Sequence, residues 1–131
     1  HFASAMTMTG HVEIELRNQP ASYLDLAEFI QFHGASPETD LKELWRRIVF
    51  TIAISNTDDH LRNHGFILSD KGWRLSPAYD MNPSIDKNGL ALNINMESNA
   101  LDFDCLPQKM PLHLSLQVLY SDYLNPIKIN L

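Results

Sequence analysis

Apolar residues recur at helical spacing over two stretches of the chain and form short runs separated by turn signals over two more. From Ser22 to His33, Leu26, Phe29 and Ile30 fall on one face, with Ser22 placed to cap the start and Gly34 placed at the C-terminal end. A stronger helix is predicted from Asp40 to Ile54. Leu41, Leu44, Trp45, Ile48, Val49 and Ile52 share one side of it, and Lys42, Arg46 and Arg47 take the other. Asp40 with Glu43 three residues on reads as a capping box, and "GASPET" before it as a linker. Nearly every position from Phe50 to Ile54 is apolar, so the end of this helix is expected to be buried. Ile48, Ile52, Trp45 and Trp73 are expected in the core. The runs "GFILS" and "WRLS", joined through Asp70-Lys71-Gly72, predict a β-hairpin, and "GLALNINM" predicts a further extended segment. The opening "HFASAMTMTGHVEIELRNQPAS" has no clear helical period and is closed by Pro20. Beyond Ala100 the apolar residues follow no period that predicts an element.

At 131 residues the chain has the size of a single domain with a real core, 44% hydrophobic and 20% charged. The helices and the hairpin together predict an α+β fold. A net charge of −6 argues against a broad, direct nucleic-acid-binding face, which would need clustered Lys and Arg. An anionic substrate would therefore need a metal ion or a few well-placed bases. The single Cys105 rules out an internal disulfide framework and fits a reducing cytoplasm. The longest apolar run, around Ile48 to Ile54, is far too short to span a bilayer, and no basic-then-apolar signal opens the chain. Starting at a histidine, the chain is expected to be a fragment or a processed piece.

Between the predicted helix and the predicted hairpin lies "ISNTDDHLRNHGFIL", with two adjacent carboxylates, two histidines, an arginine and an asparagine. Asn63 lies five positions after Asp58, and Asp80 follows twenty-two after Asp58, across the hairpin. Kinase-type phosphoryl transfer from ATP needs a carboxylate facing the attacking hydroxyl. It also needs an amide oxygen and a second carboxylate to hold the magnesium ions that bridge the phosphates. The order Asp58, Asn63, hairpin, Asp80 suits that chemistry. His60 and His64 are four apart, the spacing of paired zinc ligands on a helix, but no third Cys or His lies nearby to complete a zinc site. Of the adjacent Asp58 and Asp59, one is expected to be structural. His64 is expected at the edge of the hairpin, and Tyr79 is expected to pack beneath Asp80.

The same stretch, followed by "GWRLSPAYDMNPS", resembles the catalytic core of the HipA-like serine/threonine kinases, toxins of bacterial toxin–antitoxin pairs with a protein-kinase-like fold. The family pattern T-D-x-H-x-[KR]-N is met by Thr57, Asp58, His60, Arg62 and Asn63, and its later metal-binding aspartate by Asp80 after Tyr79. "SAMTMTG" and "LKELWRRIVFTIAI" are similar to that family's C-terminal lobe as well. The resemblance covers about residues 1–104, and the tail 105–131 is expected to be either divergent or the product of a disrupted reading frame. It implies a mainly helical C-terminal lobe with a small hairpin that presents the site. It further implies Asp58 as catalytic base, Asn63 and Asp80 as magnesium ligands, and Mg2+ and ATP as cofactors. His60 would support the loop and orient Asp80, and Arg62 would contact a phosphate or the substrate, or lie on a solvated face. The implied activity is phosphorylation of a protein serine or threonine, with silencing by a DNA-binding antitoxin.

No glycine-rich phosphate loop is present, and Lys42, Lys71, Lys87, Lys109 and Lys128 occupy no strand suited to a nucleotide-binding lysine. The chain by itself is therefore expected to be a poor kinase. Two other readings stand beside this one. The first is a non-catalytic remnant lobe that binds a protein such as an antitoxin. The second is a small metal-binding domain using Asp58, His60, Asn63 and Asp80 for a hydrolysis.

Overall fold

A computed structural model describes residues 1–11, 21–84, 89–94 and 99. Their fold is α+β. Strand β1 (Phe2–Ser4) leads into a single-turn helix α1 (Ala5–Met8). The longer helices α2 (Tyr23–His33) and α3 (Pro37–Ala53) follow, then a 3-10 turn (Leu61–Asn63), β2 (Gly65–Ser69) and β3 (Gly72–Leu75). The strands form one antiparallel sheet in the order β1-β2-β3. No described helix is long and apolar enough to cross a membrane.

Helix α2 is built as its ends predict. Ser22 caps it, accepting from the Leu24 amide, while Asp25 returns a bond to the Ser22 amide at 2.8 Å. Gly34 ends the helix without adopting a left-handed conformation. It is needed because a Cβ there would lie 2.4 Å from the Ile30 carbonyl oxygen. Leu26, Phe29 and Ile30 are buried, as their spacing requires.

Helix α3 begins at Pro37, three residues before the expected Asp40. Proline suits the first helical position because the N–H it lacks would have no partner there. Asp40 is no cap. It is buried inside the helix, where its carboxylate takes the Arg74 guanidinium at 3.0 Å and the Leu75 amide at 3.0 Å, joining α3 to β3. Arg47, expected on the solvated side, is also buried. Ile48 and Ile52 lie in the core as their spacing requires, and so does Trp45, whereas Trp73 packs only half-buried against it. The helix end is less enclosed than its composition suggests: Phe50 is 48% exposed and Ala53 is exposed, so only Thr51 and Ile52 of that run face inward.

The hairpin is present, with Ser69 paired to Gly72 around a two-residue Asp70-Lys71 loop. Gly72 has φ +123°, a conformation that side-chain-bearing residues rarely adopt. The opening segment supplies the third strand through the pairs Phe2–Ile67, Ala3–Phe66 and Ser4–Gly65. A Cβ at Gly65 would displace the exposed Phe2 ring, which lies over that position. In the segment 89–94, Asn93 forms a bridge to Ser22, and Leu90, Leu92 and Ile94 are buried against the helices' core. The rest of "GLALNINM", the stretch 12–20 and the tail 105–131 with Cys105 lie outside the described residues.

Candidate active site

The candidate site is a loop that leaves the end of α3 and re-enters the sheet at β2. After Ile54 caps α3, Ser55 takes a left-handed φ of 55° and turns the chain. The amides of Ser55 and Asn56 then bond back to the carbonyls of Ile52 and Thr51, fixing the loop's departure. Asp58 follows on the surface, and Asp59 is buried at 4% exposure. Leu61 anchors the 3-10 turn in the core.

Asn63 is buried, and its Nδ2 donates to the Asp58 carbonyl at 3.0 Å. That bond uses the donor side of the amide and leaves Oδ1 as an acceptor for a hard cation. Asp58 and Asn63 are thus joined across their five-residue interval by the second residue's own side chain.

Asp80 reaches the same loop through its neighbours. The Tyr79 hydroxyl donates to the Arg62 carbonyl at 2.7 Å, so the residue before Asp80 is bonded to the residue before Asn63. On the other side, the Ser84 amide donates to the Ser55 carbonyl at 3.2 Å, and Ser84 Oγ accepts from the Thr57 amide at 3.1 Å. The segment carrying Asp80 is therefore bonded to both the start and the end of the loop. Asp80 is exposed and has a left-handed φ of 57°, and its Oδ1 accepts from Asn82 Nδ2 at 2.8 Å. Such a backbone costs free energy and is tolerated best by Asp and Asn among side-chain-bearing residues.

Tyr79 does not pack beneath Asp80. It is 37% exposed, its ring lies 6.3 Å from that of Phe2, and partial burial raises its hydroxyl pKa above the usual value. His64 stands at the edge of the hairpin, directly before β2, but faces inward. It is buried at 2%, its backbone carbonyl accepts from the Ala5 amide at the start of α1, and its ring pairs with Asp59. His60 is half-buried, with Nδ1 enclosed and without a hydrogen-bond partner, while Arg62 is exposed. Among the described residues no three His, Cys, Asp or Glu side chains converge as a metal-holding group.

Asp59 is the structural member of the Asp58–Asp59 pair. It accepts a short hydrogen bond from the Tyr23 hydroxyl and lies 3.0 Å from His64 Nε2. Burial, followed by the nearby Asp59 charge, pushes the Tyr23 hydroxyl pKa well above its usual range. Arg47 also bears on the site. Its Nη2 donates to the Ser76 carbonyl, at the start of the segment leading to Asp80, and its Nε donates to Glu43 at 3.1 Å. The sequence holds a signal for Arg47: Asp40, Leu44, Arg47 and Thr51 form one stripe at spacings of four, three and four, and all are buried. Polar residues in register with a core leucine are candidates for buried partners.

The arrangement is a loop carboxylate, an amide with a free oxygen five residues later, and a second carboxylate tied across the loop. It matches the pattern of one protein family. Residues 1–119 match the HipA-like C-terminal domain, and the chain belongs to that family. It is 36% identical over 63 residues to a Haemophilus influenzae protein named "Putative kinase", a match covering 47% of this chain and 18% of that protein. It is 28% identical over 60 residues to "Putative kinase Y4mE" of Sinorhizobium fredii, covering 46% of this chain and 14% of that protein. These matches relate the chain to a family of kinases, of whose named members it spans only a small part.

Proposed function

We propose that this chain is the catalytic-loop portion of an ATP- and magnesium-dependent protein serine/threonine kinase with a kinase-like C-terminal lobe. Asp58 accepts the proton of the attacking hydroxyl, and Asn63 Oδ1 and the Asp80 carboxylate hold the magnesium ions. The metal supplies charge neutralisation on the phosphates, and the protein supplies placement. The observation that carries this reading is the bond from Asn63 Nδ2 to the Asp58 main-chain carbonyl, which leaves the Asn63 amide oxygen unspent. The Tyr79–Arg62 bond supports a shared site for Asp80. His60 Nδ1 is enclosed without a partner, so no hydrogen bond from that atom orients the loop or Asp80, and the exposed Arg62 would meet a phosphate or the protein substrate. In keeping with the family, the intact protein is a cytoplasmic bacterial toxin held silent by a DNA-binding antitoxin.

A second reading, a non-catalytic lobe that binds a protein partner, draws on the exposed apolar residues Phe2, Ile67 and Leu68 of the sheet. An NMR titration of the isotope-labelled chain separates the two. Mg-ATP is expected to shift the resonances of Asn63 and Asp80 with half-saturation at about millimolar concentration, and Asn63→Ala and Asp80→Ala to abolish the shifts. Mg-ATP shifts confined to other residues would favour the binding module. Tight zinc binding through Asp58, His60, Asn63 and Asp80 would favour a hydrolytic metal site.

A further inference from the structure

Beneath the exposed Asp58 lies a buried polar trio that the phosphoryl-transfer reading leaves unused. Tyr23, Asp59 and His64 are 0%, 4% and 2% exposed. The Tyr23 hydroxyl donates to Asp59, and His64 Nε2 lies 3.0 Å from one carboxylate oxygen and 3.1 Å from the other. The Tyr23 and His64 rings meet edge-on at 5.9 Å and 86°. Burying a carboxylate is costly, and apolar residues of similar volume fill such a space with equal or better stability. The trio therefore calls for an explanation other than stability.

Its place in the chain supplies one. Asp59 directly follows Asp58, and His64 directly follows Asn63. The Asp59–His64 pair thus spans the same five-residue interval as the Asn63–Asp58 bond, shifted one residue along the chain, so the two ends of the loop are held together twice. Tyr23, in the first turn of α2, fastens this closure to the helical layer. Asp59 is drawn inward while its neighbour Asp58 is exposed.

We propose that Tyr23, Asp59 and His64 are positioning residues for phosphoryl transfer, clamping both ends of the loop 58–63 onto α2 so that the Asp58 carboxylate and the Asn63 amide are held in place. The proposal rests on the kinase reading above. Its test compares the intact protein with the triple variant Tyr23→Phe, Asp59→Leu, His64→Phe and with Tyr23→Phe alone. Turnover of Mg-ATP, thermal melting and hydrogen exchange of the Asn63 side-chain amide are measured. The triple variant is expected to melt close to the wild type, since the polar group and its partners are removed together. Its kcat falls about 10- to 100-fold, the scale for losing groups that orient a site, while KM for ATP stays nearly unchanged. The Asn63 amide protons exchange at least about tenfold faster, as a loosened loop opens more often. Tyr23→Phe moves both readouts the same way by smaller factors. Asp59→Asn, which keeps an acceptor for the Tyr23 hydroxyl, retains more turnover than Asp59→Leu.

A folded triple variant with wild-type kcat and a protected Asn63 amide would overturn the proposal. If the triple variant does not fold, wild-type kcat and exchange in Tyr23→Phe overturn it equally. Wild-type turnover in Asp58→Asn would sink the kinase reading instead, and the Asn63 exchange would still decide whether the trio holds the loop.

Discussion

At the scale of single residues, adjacent positions divide their work by burial. Asp58 and Asp59 are chemically identical, yet one is exposed and the other sits under the Tyr23 hydroxyl and the His64 ring. The buried tyrosine makes stability depend on alkaline pH. Its folded pKa lies well above the unfolded value of 10.0, through burial first and the Asp59 charge second. Folding therefore favours the protonated hydroxyl. That contribution is complete below the unfolded pKa and is lost as pH rises through the folded one. Denaturation midpoints are expected to fall steeply above pH 10.0 in the wild type and less steeply in Tyr23→Phe. Equal alkaline slopes in the two proteins would contradict this. The Asp58–Asn63 spacing and the later Asp80 were legible because they follow one another along the chain. The roles of Tyr23 and Arg47 were not, since each depends on a partner brought near only by folding: Tyr23 and Asp59 are 36 positions apart, Arg47 and Ser76 are 29.

At the scale of elements, the parts defined by local rules were readable. Helix α2 has a cap and a terminal glycine, and the hairpin has a two-residue loop ending at Gly72. What was missed depends on distant contacts. Strand β1 is only three residues long, too short to carry a period, and exists through pairing with β2 some sixty positions later. The first turn of α3 reads as a linker because Pro-Glu-Thr-Asp is polar, and Asp40 reads as a cap because its partner Arg74 lies 34 residues away. Two substitutions test the packing of α3. Ile48 is fully buried, so Ile48→Ala is expected to cost about 2–5 kcal/mol in chemical denaturation, by lost burial and the cavity left behind. Asp40→Ala strands the Leu75 amide and removes the Arg74 pair, for an expected loss of about 1–3 kcal/mol. Hydrogen exchange in that variant should show β3 opening ahead of β2. An unchanged exchange rate in β3 would mean that the ion pair does not hold the hairpin to the helix.

At the scale of the whole molecule, the chain matches a small fraction of its named relatives, 18% of one and 14% of the other. Phosphoryl transfer depends mainly on placement and electrostatics, and on the function proposed above this chain would supply the loop base and the metal ligands of that apparatus. Its five glycines are scattered singly, so its sequence carries no glycine-rich phosphate loop. A nucleotide bound by the chain alone would stay wet, and water weakens each charge contact that the transition state needs. Binding of Mg-ATP to the chain alone is thus expected at about millimolar or weaker, worth about 4 kcal/mol. Vigorous transfer by the chain alone would show that the groups expected from the rest of the protein are dispensable. The most direct test of the account is transfer of labelled γ-phosphate from Mg-ATP to protein serine or threonine by the intact protein, beside its Asp58→Asn variant. Transfer by the wild type is expected, with a loss of about 100- to 10,000-fold in the variant, the contribution of a positioned general base. Equal transfer by the two proteins, or none by the wild type, would contradict it.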